Sequence, residues 1–463
     1  MINLLCITGS KSEAHQFVLI ARELIKVNIK MHLATSRPMV YDYVKSEMDW
    51  SDISFFEIKK IKKIQSIDNK LLEKYTKPNI AEIISSEQVI SHWKEKYKFN
   101  LLLNFIEKFE TLITEKNIDI LMKYPTCSLI GRTAFSVMSA NNKKTLIINT
   151  GPIVTETFTL NDIDEGWLWS EFFKMYNENL SISSDIKNQV SIIVDSVIKD
   201  KRKSIVIKKL NIKSTLYHII LYAYQKIRFI NDPIQFNEMK KEINFAIGKL
   251  QIAPNYSKLN KEKKYVFFPF HIPWDAQIAT RNPMFYSQEA IAEMISRSLP
   301  PNYTLYVKEH PYYCGGVNKK MLSKIKKLKN VEILDPSISS LDIIENAKAI
   351  ITINSTAGWE SIIMKKPLIV LGNPYYAYFK QSYKVENINL LPNILNTALH
   401  VGNKNYEVNL DDWYKFIYSS VSSSHSGSMS LYKNYMGLGK KIDENRIMKL
   451  SSEIEKKIRK TLN

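Results

Sequence analysis

Three short segments carry residue types that could handle a phosphorylated or acidic ligand. In "NSTAGWE", Ser355 and Thr356 can cap a helix, and Ala357 and Gly358 are small enough to let a phosphate approach its first-turn N–H groups. Glu360, about one turn further in, could accept hydrogen bonds from ribose hydroxyls; an ordinary capped helix with Trp359 in the core would use the same residues. In "KEHP", His310 falls at a strand end, Pro311 fixes the turn and Lys308 and Glu309 stand beside it, so that His310 could donate to a phosphate oxygen without a metal. "HIPWDAQI" holds His271 and Asp275, whose carboxylate could act as nucleophile or base, or could equally cap the helix that follows. A fourth segment, "TETFTLNDIDEG", offers Glu156, Asp162, Asp164 and Glu165, each of which could also be a solvated loop acid. Its "DID" formally matches the DxD pattern of metal-dependent sugar transferases, but the tripeptide is common by chance, and no metal site is expected.

These segments need a frame that brings them to one edge. From Lys263 onward, apolar strand-like runs alternate with amphipathic stretches: "KKYVFFPF", "YTLYVKEH", "VEILD", "AIITIN" and "PLIVLG", separated by helices over Ser287 to Ser298, Lys319 to Lys329, Leu341 to Ala347 and Thr356 to Met364. Five strands alternating with four helices predict a doubly wound parallel sheet, whose ligands bind beyond the carboxyl ends of the strands. The loops that carry His271, His310, Ser355 and "NPYY" all follow strands in this scheme. The first half opens as strand, helix, strand through "INLLCITG", "EAHQFVLIARELIK" and "MHLAT", and later returns to alternation with "IDILMKY" and "KTLIINT". The chain therefore divides into an N-terminal α/β domain (1–170), a Lys-rich helical bridge (171–261), a second α/β domain (262–400) and a C-terminal helical segment (401–463) ending in the basic "IEKKIRKTLN". The serine-rich "SSVSSSHSGSMS" near Ser419 reads as a flexible loop.

Composition narrows the function classes. The 463 residues are 45% hydrophobic and 24% charged, an ordinary globular balance with ample core for two or three domains. Lys and Arg number 65 against 46 Asp and Glu, and the formal charge of +19 favours an anionic partner. No recognition-helix, RNP-like or zinc motif accompanies that charge, so nucleic acid is not expected as a partner. Cys6, Cys127 and Cys314 form no CxxC pair and fit a reducing compartment, and no apolar run reaches the length of a membrane span or the pattern of a signal peptide, which predicts a cytoplasmic protein, soluble or peripheral.

Taken together, "YVFFPFHIPWDAQI", "LPPNYTLYVKEHP" and "NVEILDPSISSLDIIENAKAIITINSTAGWESIIMKKPLIVLGNPYY" resemble the bacterial capsular polysaccharide biosynthesis family, whose better known members are retaining β-Kdo transferases. The resemblance covers about residues 262 to 380 and extends weakly to "GPIVTETFTLNDIDEGW". It implies a GT-B-like α/β fold of two Rossmann-like domains facing a cleft, and transfer of a 3-deoxy-ulosonic acid, Kdo, from CMP-Kdo to a surface-polysaccharide or glycolipid acceptor, with neither metal nor cofactor. His310, Ser355 and Thr356 would then hold the CMP phosphate beside Pro311, Lys308, Ala357 and Gly358, with Glu360 near the ribose. Asp275 would be the catalytic carboxylate and Glu156 a second acid/base candidate. Another CMP-nonulosonate such as CMP-sialic acid, or a non-catalytic polysaccharide-binding role, are the competing readings. An acceptor at the anionic inner leaflet would suit the basic surface, with Lys208, Lys209, Lys213, Lys456, Lys457 and Arg459 expected to contribute.

Overall fold

The computed structural model describes residues 1–47, 52–58, 73–88, 90–153, 157–161, 168–201, 255–317, 319–403, 406–426 and 444–463, with residues 220, 240, 243, 244, 246–248 and 250–252 between them. Two compact units divide the chain, and each is built on its own parallel-rich sheet. The protein is therefore mixed α/β, as the alternating pattern predicts.

The first unit comprises Met1–Asp164 and Ser424–Asn463. Its seven-stranded sheet has the order β13-β6-β5-β4-β1-β2-β3, with β1 Ile2–Ile7, β2 Ile29–Thr35, β3 Ile53–Phe55, β4 Ile120–Lys123, β5 Lys144–Thr150, β6 Thr157–Asn161 and β13 His425–Ser426. β1 shows why the strands are apolar throughout. Leu4 and Cys6 enter the core on one side of the sheet and Leu5 and Ile7 the core on the other, so both faces are covered. One face receives the helix Lys11–Leu24 and the C-terminal helix Glu444–Leu462, which buries Leu450, Ile454 and Ile458 at a spacing of four. The expected C-terminal segment is therefore split: the part from Ser424 belongs to the first unit and the part before it to the second.

The second unit holds Glu165–Arg228 and Glu238–Ser423. Its sheet has the order β12-β11-β10-β7-β8-β9, all parallel, with β7 Lys264–Pro269, β8 Tyr303–Lys308, β9 Val331–Leu334, β10 Ala349–Thr352, β11 Leu368–Val370 and the edge strand β12 Tyr383–Lys384. Val266, Phe268, Leu305, Val307, Ile351 and Ile369 build one core from alternate strand positions. The helices Ser170–Asn177 and Leu410–Ser422 also belong to this unit. Phe172, Tyr375 and Phe416 meet there edge-to-face or stacked, and Tyr176 donates to Asp412 at 2.9 Å. The described start of the expected helical bridge is therefore packed into the second unit. The serine-rich stretch is likewise not a loop at its start: Ser419 and Ser420 are buried in the helix Leu410–Ser422, where Ser420 bonds back to the Phe416 carbonyl at 2.7 Å. Among the described residues no helix is long and apolar enough to cross a membrane.

Candidate active site

In the second sheet the chain runs outward from β7 through β8 to β9, then returns to place β10 on the other side of β7. The strand order thus reverses between β7 and β10, and the loops after these two strands must diverge, which opens a crevice at their carboxyl ends. A cavity of about 160 Å³ lies there, walled by Pro269 and Phe270 at the end of β7, Lys308 to Pro311 at the end of β8, Pro336 to Leu341 after β9, and Ser355, Thr356, Ala357 and Glu360 after β10. That volume is below the roughly 300 Å³ at which whole-ligand clefts begin, and suits a phosphate-bearing fragment.

The β10 wall is the start of the helix Thr356–Ile363. Ser355 is its N-cap and its hydroxyl accepts from the Ala357 N–H at 3.2 Å. The cap residue is itself held from both sides, because its N–H donates to Thr352 Oγ1 at 3.1 Å and its carbonyl accepts from the Tyr376 hydroxyl at 2.6 Å. Gly358 does not line the cavity. A Cβ there would lie 2.3 Å from the Tyr376 ring, so its small size lets Tyr376 reach the Ser355 carbonyl rather than letting a phosphate in. Trp359 points away into the aromatic core with Tyr375 and Phe416, while Glu360 is buried at the cavity wall.

On the β8 side, Lys308 is buried and its ammonium donates to the Ile338 carbonyl at 2.8 Å and to Ser340 Oγ at 3.0 Å. It ties the loop after β9 to the floor of the cavity and sets a fixed positive charge there. Glu309 faces the other way and acts as a staple: it accepts from Tyr256 and from the N–H groups of Gly315 and Val317, holding the turn that follows His310. Burial pushes its pKa up despite these bonds. Sequence reading gave Glu309 no role, although a carboxylate directly before a Pro-initiated turn is well placed for one.

Behind the cavity, His271 is buried, and its Nε2 accepts the Asn354 N–H at 3.3 Å. Gln288 brackets its backbone, accepting from the His271 N–H at 2.6 Å and donating to its carbonyl at 2.9 Å. Burial first, and the neighbouring His310 second, hold its pKa down to about 3, so the ring is neutral and can keep accepting. The unfolded chain takes this proton near the ordinary 6.5 while the folded state refuses it until about 3, so the stability involved is present above 6.5 and lost as pH falls. We expect His271 to account for about 2 kcal/mol of stability lost between pH 7 and pH 5. In His271→Gln that increment should vanish while contributions from His15 and His32 stay in both proteins. Equal losses in wild type and variant, read by urea unfolding at the two pH values, would refute the neutral-ring assignment.

Asp275 is the N-cap of the short helix Ala276–Ala279 and accepts from the Gln277 N–H at 2.9 Å. Burial raises its pKa, with the Gln277 N–H and the Arg281 guanidinium opposing. It is not among the residues that line the cavity, although its loop follows β7 on the same sheet edge. The site therefore gathers Lys308, His310, Pro311, Ser355, Thr356, Ala357 and Glu360, and leaves Gly358 and Asp275 outside the lining. Glu156, Asp162, Asp164 and Glu165 lie outside the described residues, as do Lys208, Lys209 and Lys213. Of the basic C-terminal residues, Lys456 pairs with Glu453 at 2.9 Å, Arg459 pairs with Glu455 at 2.9 Å and donates to the Val27 carbonyl, both on the exposed side of the helix, and Lys457 is buried. They do not form a free basic arm.

At the corresponding reversal of the first sheet, between β1 and β4, stands a group that sequence reading passed over. Glu13 accepts from the Gly9 N–H at 2.8 Å, Arg37 donates to the Gly9 carbonyl at 3.4 Å, and burial raises the pKa of Glu13 despite both. The signal available was "TGS" directly after the first strand, a helix start at a sheet edge.

Part of the second unit is similar to capsule-related proteins. Residues 203–381 match the model of the capsule polysaccharide biosynthesis protein family, a stretch that includes the motifs noted above. It is 27% identical over 114 residues to protein FixF of Sinorhizobium fredii, a match spanning 24% of this chain and 27% of that protein. It is 30% identical over 122 residues to the capsule polysaccharide export protein KpsS of Escherichia coli, spanning 25% and 31%. The chain thus spans less than a third of either relative's length. Among solved structures, the β-Kdo 2,4 transferase KpsC of Thermosulfurimonas dismutans aligns over 66% of this chain and 80% of its own at 11% identity and a TM-score of 0.38. A UDP-GlcNAc 2-epimerase of Methanocaldococcus jannaschii aligns over 90% and 98% at 12% identity and a TM-score of 0.31.

Proposed function

We propose that the protein is a glycosyltransferase that moves Kdo from CMP-Kdo to a polysaccharide or glycolipid acceptor, without a metal, at the cytoplasmic face of the membrane. One observation carries the reading: the cavity at the reversal of the second sheet joins a histidine, a fixed ammonium and a capped helix start, three features that stabilise a phosphate without a divalent ion. The match of residues 203–381 to the capsule family model supports a capsule-type glycan as the product. In this reading His310 donates to the CMP phosphate, the Thr356 N–H at the helix start donates beside it, and Glu360 accepts from the ribose hydroxyls. Asp275 serves as the carboxylate that attacks or shields the anomeric carbon as CMP leaves with the bonding pair, and Glu156 is the candidate that takes the acceptor's proton. The acceptor oxygen then forms the new glycosidic bond and frees the carboxylate.

The test is to incubate the purified chain with CMP-Kdo, and separately with CMP-sialic acid, in EDTA and to measure released CMP with an added acidic-glycan or glycolipid acceptor. Acceptor-dependent release from CMP-Kdo that survives EDTA is the expected result. Release from CMP-sialic acid alone would move the donor to another nonulosonate, loss in EDTA restored by Mn²⁺ would promote Asp162 and Asp164, and no release from either donor would leave a binding module.

A further inference from the structure

The edge of the second sheet opposite the cavity is lined with lysine. The chain enters β7, β10 and β11 through "KEKK", "NAKA" and "KKP", and because these three strands are neighbours about 4.8 Å apart, their entry residues form one row. The row borders a second, larger cavity of about 620 Å³ whose lining holds six lysines against three glutamates. Two of the lysines have partners: Lys261 reaches Glu345 at 3.8 Å, and Lys263 bonds to Glu332. A third, Lys365, places its ammonium 4.5 Å above the Trp413 ring. Lys264, Lys348 and Lys366 are in no salt bridge among the described residues, and Lys348 and Lys366 are half-buried. Burial, then the Lys348 charge, push the pKa of Lys366 down, and the nearby Glu345 carboxylate offsets this only in part. Two half-buried like charges repel at a cost to the fold that a bound anion would offset.

We propose that this lysine-lined trough is a binding site for a linear, carboxylate-bearing oligosaccharide. The shape favours a chain over a bilayer: the site is concave, and none of the exposed large apolar residues needed to enter a lipid interface lines it. Its cations are all lysines, which read charge as points rather than by the bidentate geometry of arginine, as a repeating polyanion requires. Tyr406, half-buried at the rim, supplies an apolar wall with a polar tip against which sugar rings can lie. The inference goes beyond the transferase reading and does not depend on it.

The experiment titrates a fluorescent hexamer of glucuronic acid into the full chain at 50 and 300 mM NaCl and follows anisotropy. Wild type is expected to bind and to weaken at least tenfold at the higher salt. The triple variant Lys264→Gln, Lys348→Gln, Lys366→Gln should lose at least tenfold at low salt, with a melting temperature equal to or above wild type because the repulsion is gone. A charge-matched control on the helix Lys319–Lys326, with Lys319→Gln, Lys320→Gln and Lys324→Gln, should stay within twofold. Should the triple variant fail to fold, the exposed Lys264→Gln alone should still weaken binding threefold or more. No binding by wild type, equal loss in variant and control, or binding to phosphatidylglycerol vesicles through these lysines without binding the hexamer would each overturn the proposal. CMP titration of the same proteins reads the other cavity separately, so a failed nucleotide site and a failed glycan site are told apart.

Discussion

Asp275→Asn is expected to lower glycosyl transfer by at least roughly a hundredfold, the lower end of what a general acid–base or nucleophilic group contributes, while leaving the melting temperature and CMP affinity close to wild type. The structural half of this expectation follows from the geometry. Asp275 caps the helix Ala276–Ala279 by accepting from Gln277 N–H, and the asparagine side-chain oxygen accepts the same bond. Burial already works against the ionised carboxylate, so a neutral amide of the same size relieves that cost even as it gives up the attraction of Arg281. The chemical half follows from the position of the loop, which leaves β7 at the reversal of strand order, beside the cavity that would hold the phosphate. Only the charge is removed, so a change in rate with stability intact assigns the charge to the chemistry. A near wild-type transfer rate would reduce Asp275 to its cap, and a drop in melting temperature with rate intact would say the same.

The second sheet was legible because each of its central strands is an apolar run buried on both faces and each connection ends in a cluster of polar and small residues. The helix starting at Ser355 could be placed from its cap alone. What could not be read is which side chains those features already employ. Gly358 looks like a phosphate-approach glycine until the chain brings Tyr376 over it, eighteen positions later, and Asp275 looks available until its helix closes on it. The C-terminal helix misled in a different way. Its "KKIRK" reads as a solvated basic tail, but the acids one turn earlier, Glu453 and Glu455, pair with its cations, and the apolar spacing of Leu450, Ile454 and Ile458 commits it to a core. That spacing was visible in the sequence. That the core belongs to the first unit was not, because periodicity shows that a helix has a buried face without showing what covers it.

His310 lines the cavity with Lys308 and the helix start at Ser355, where it is proposed to touch a nucleotide phosphate. His310→Ala removes one hydrogen bond to a charged group and leaves the Glu309 staple and the Lys308 tie in place, so the turn should keep its form. Such a bond contributes about 1.5 to 3 kcal/mol, and CMP affinity should fall by roughly ten- to two-hundredfold. Calorimetric titration of CMP into wild type and His310→Ala, with matched melting temperatures, is the direct measurement. Saturable binding by wild type with a loss of that size in the variant is the result this account predicts. Unchanged affinity in a folded variant, or no CMP binding by wild type, would contradict it.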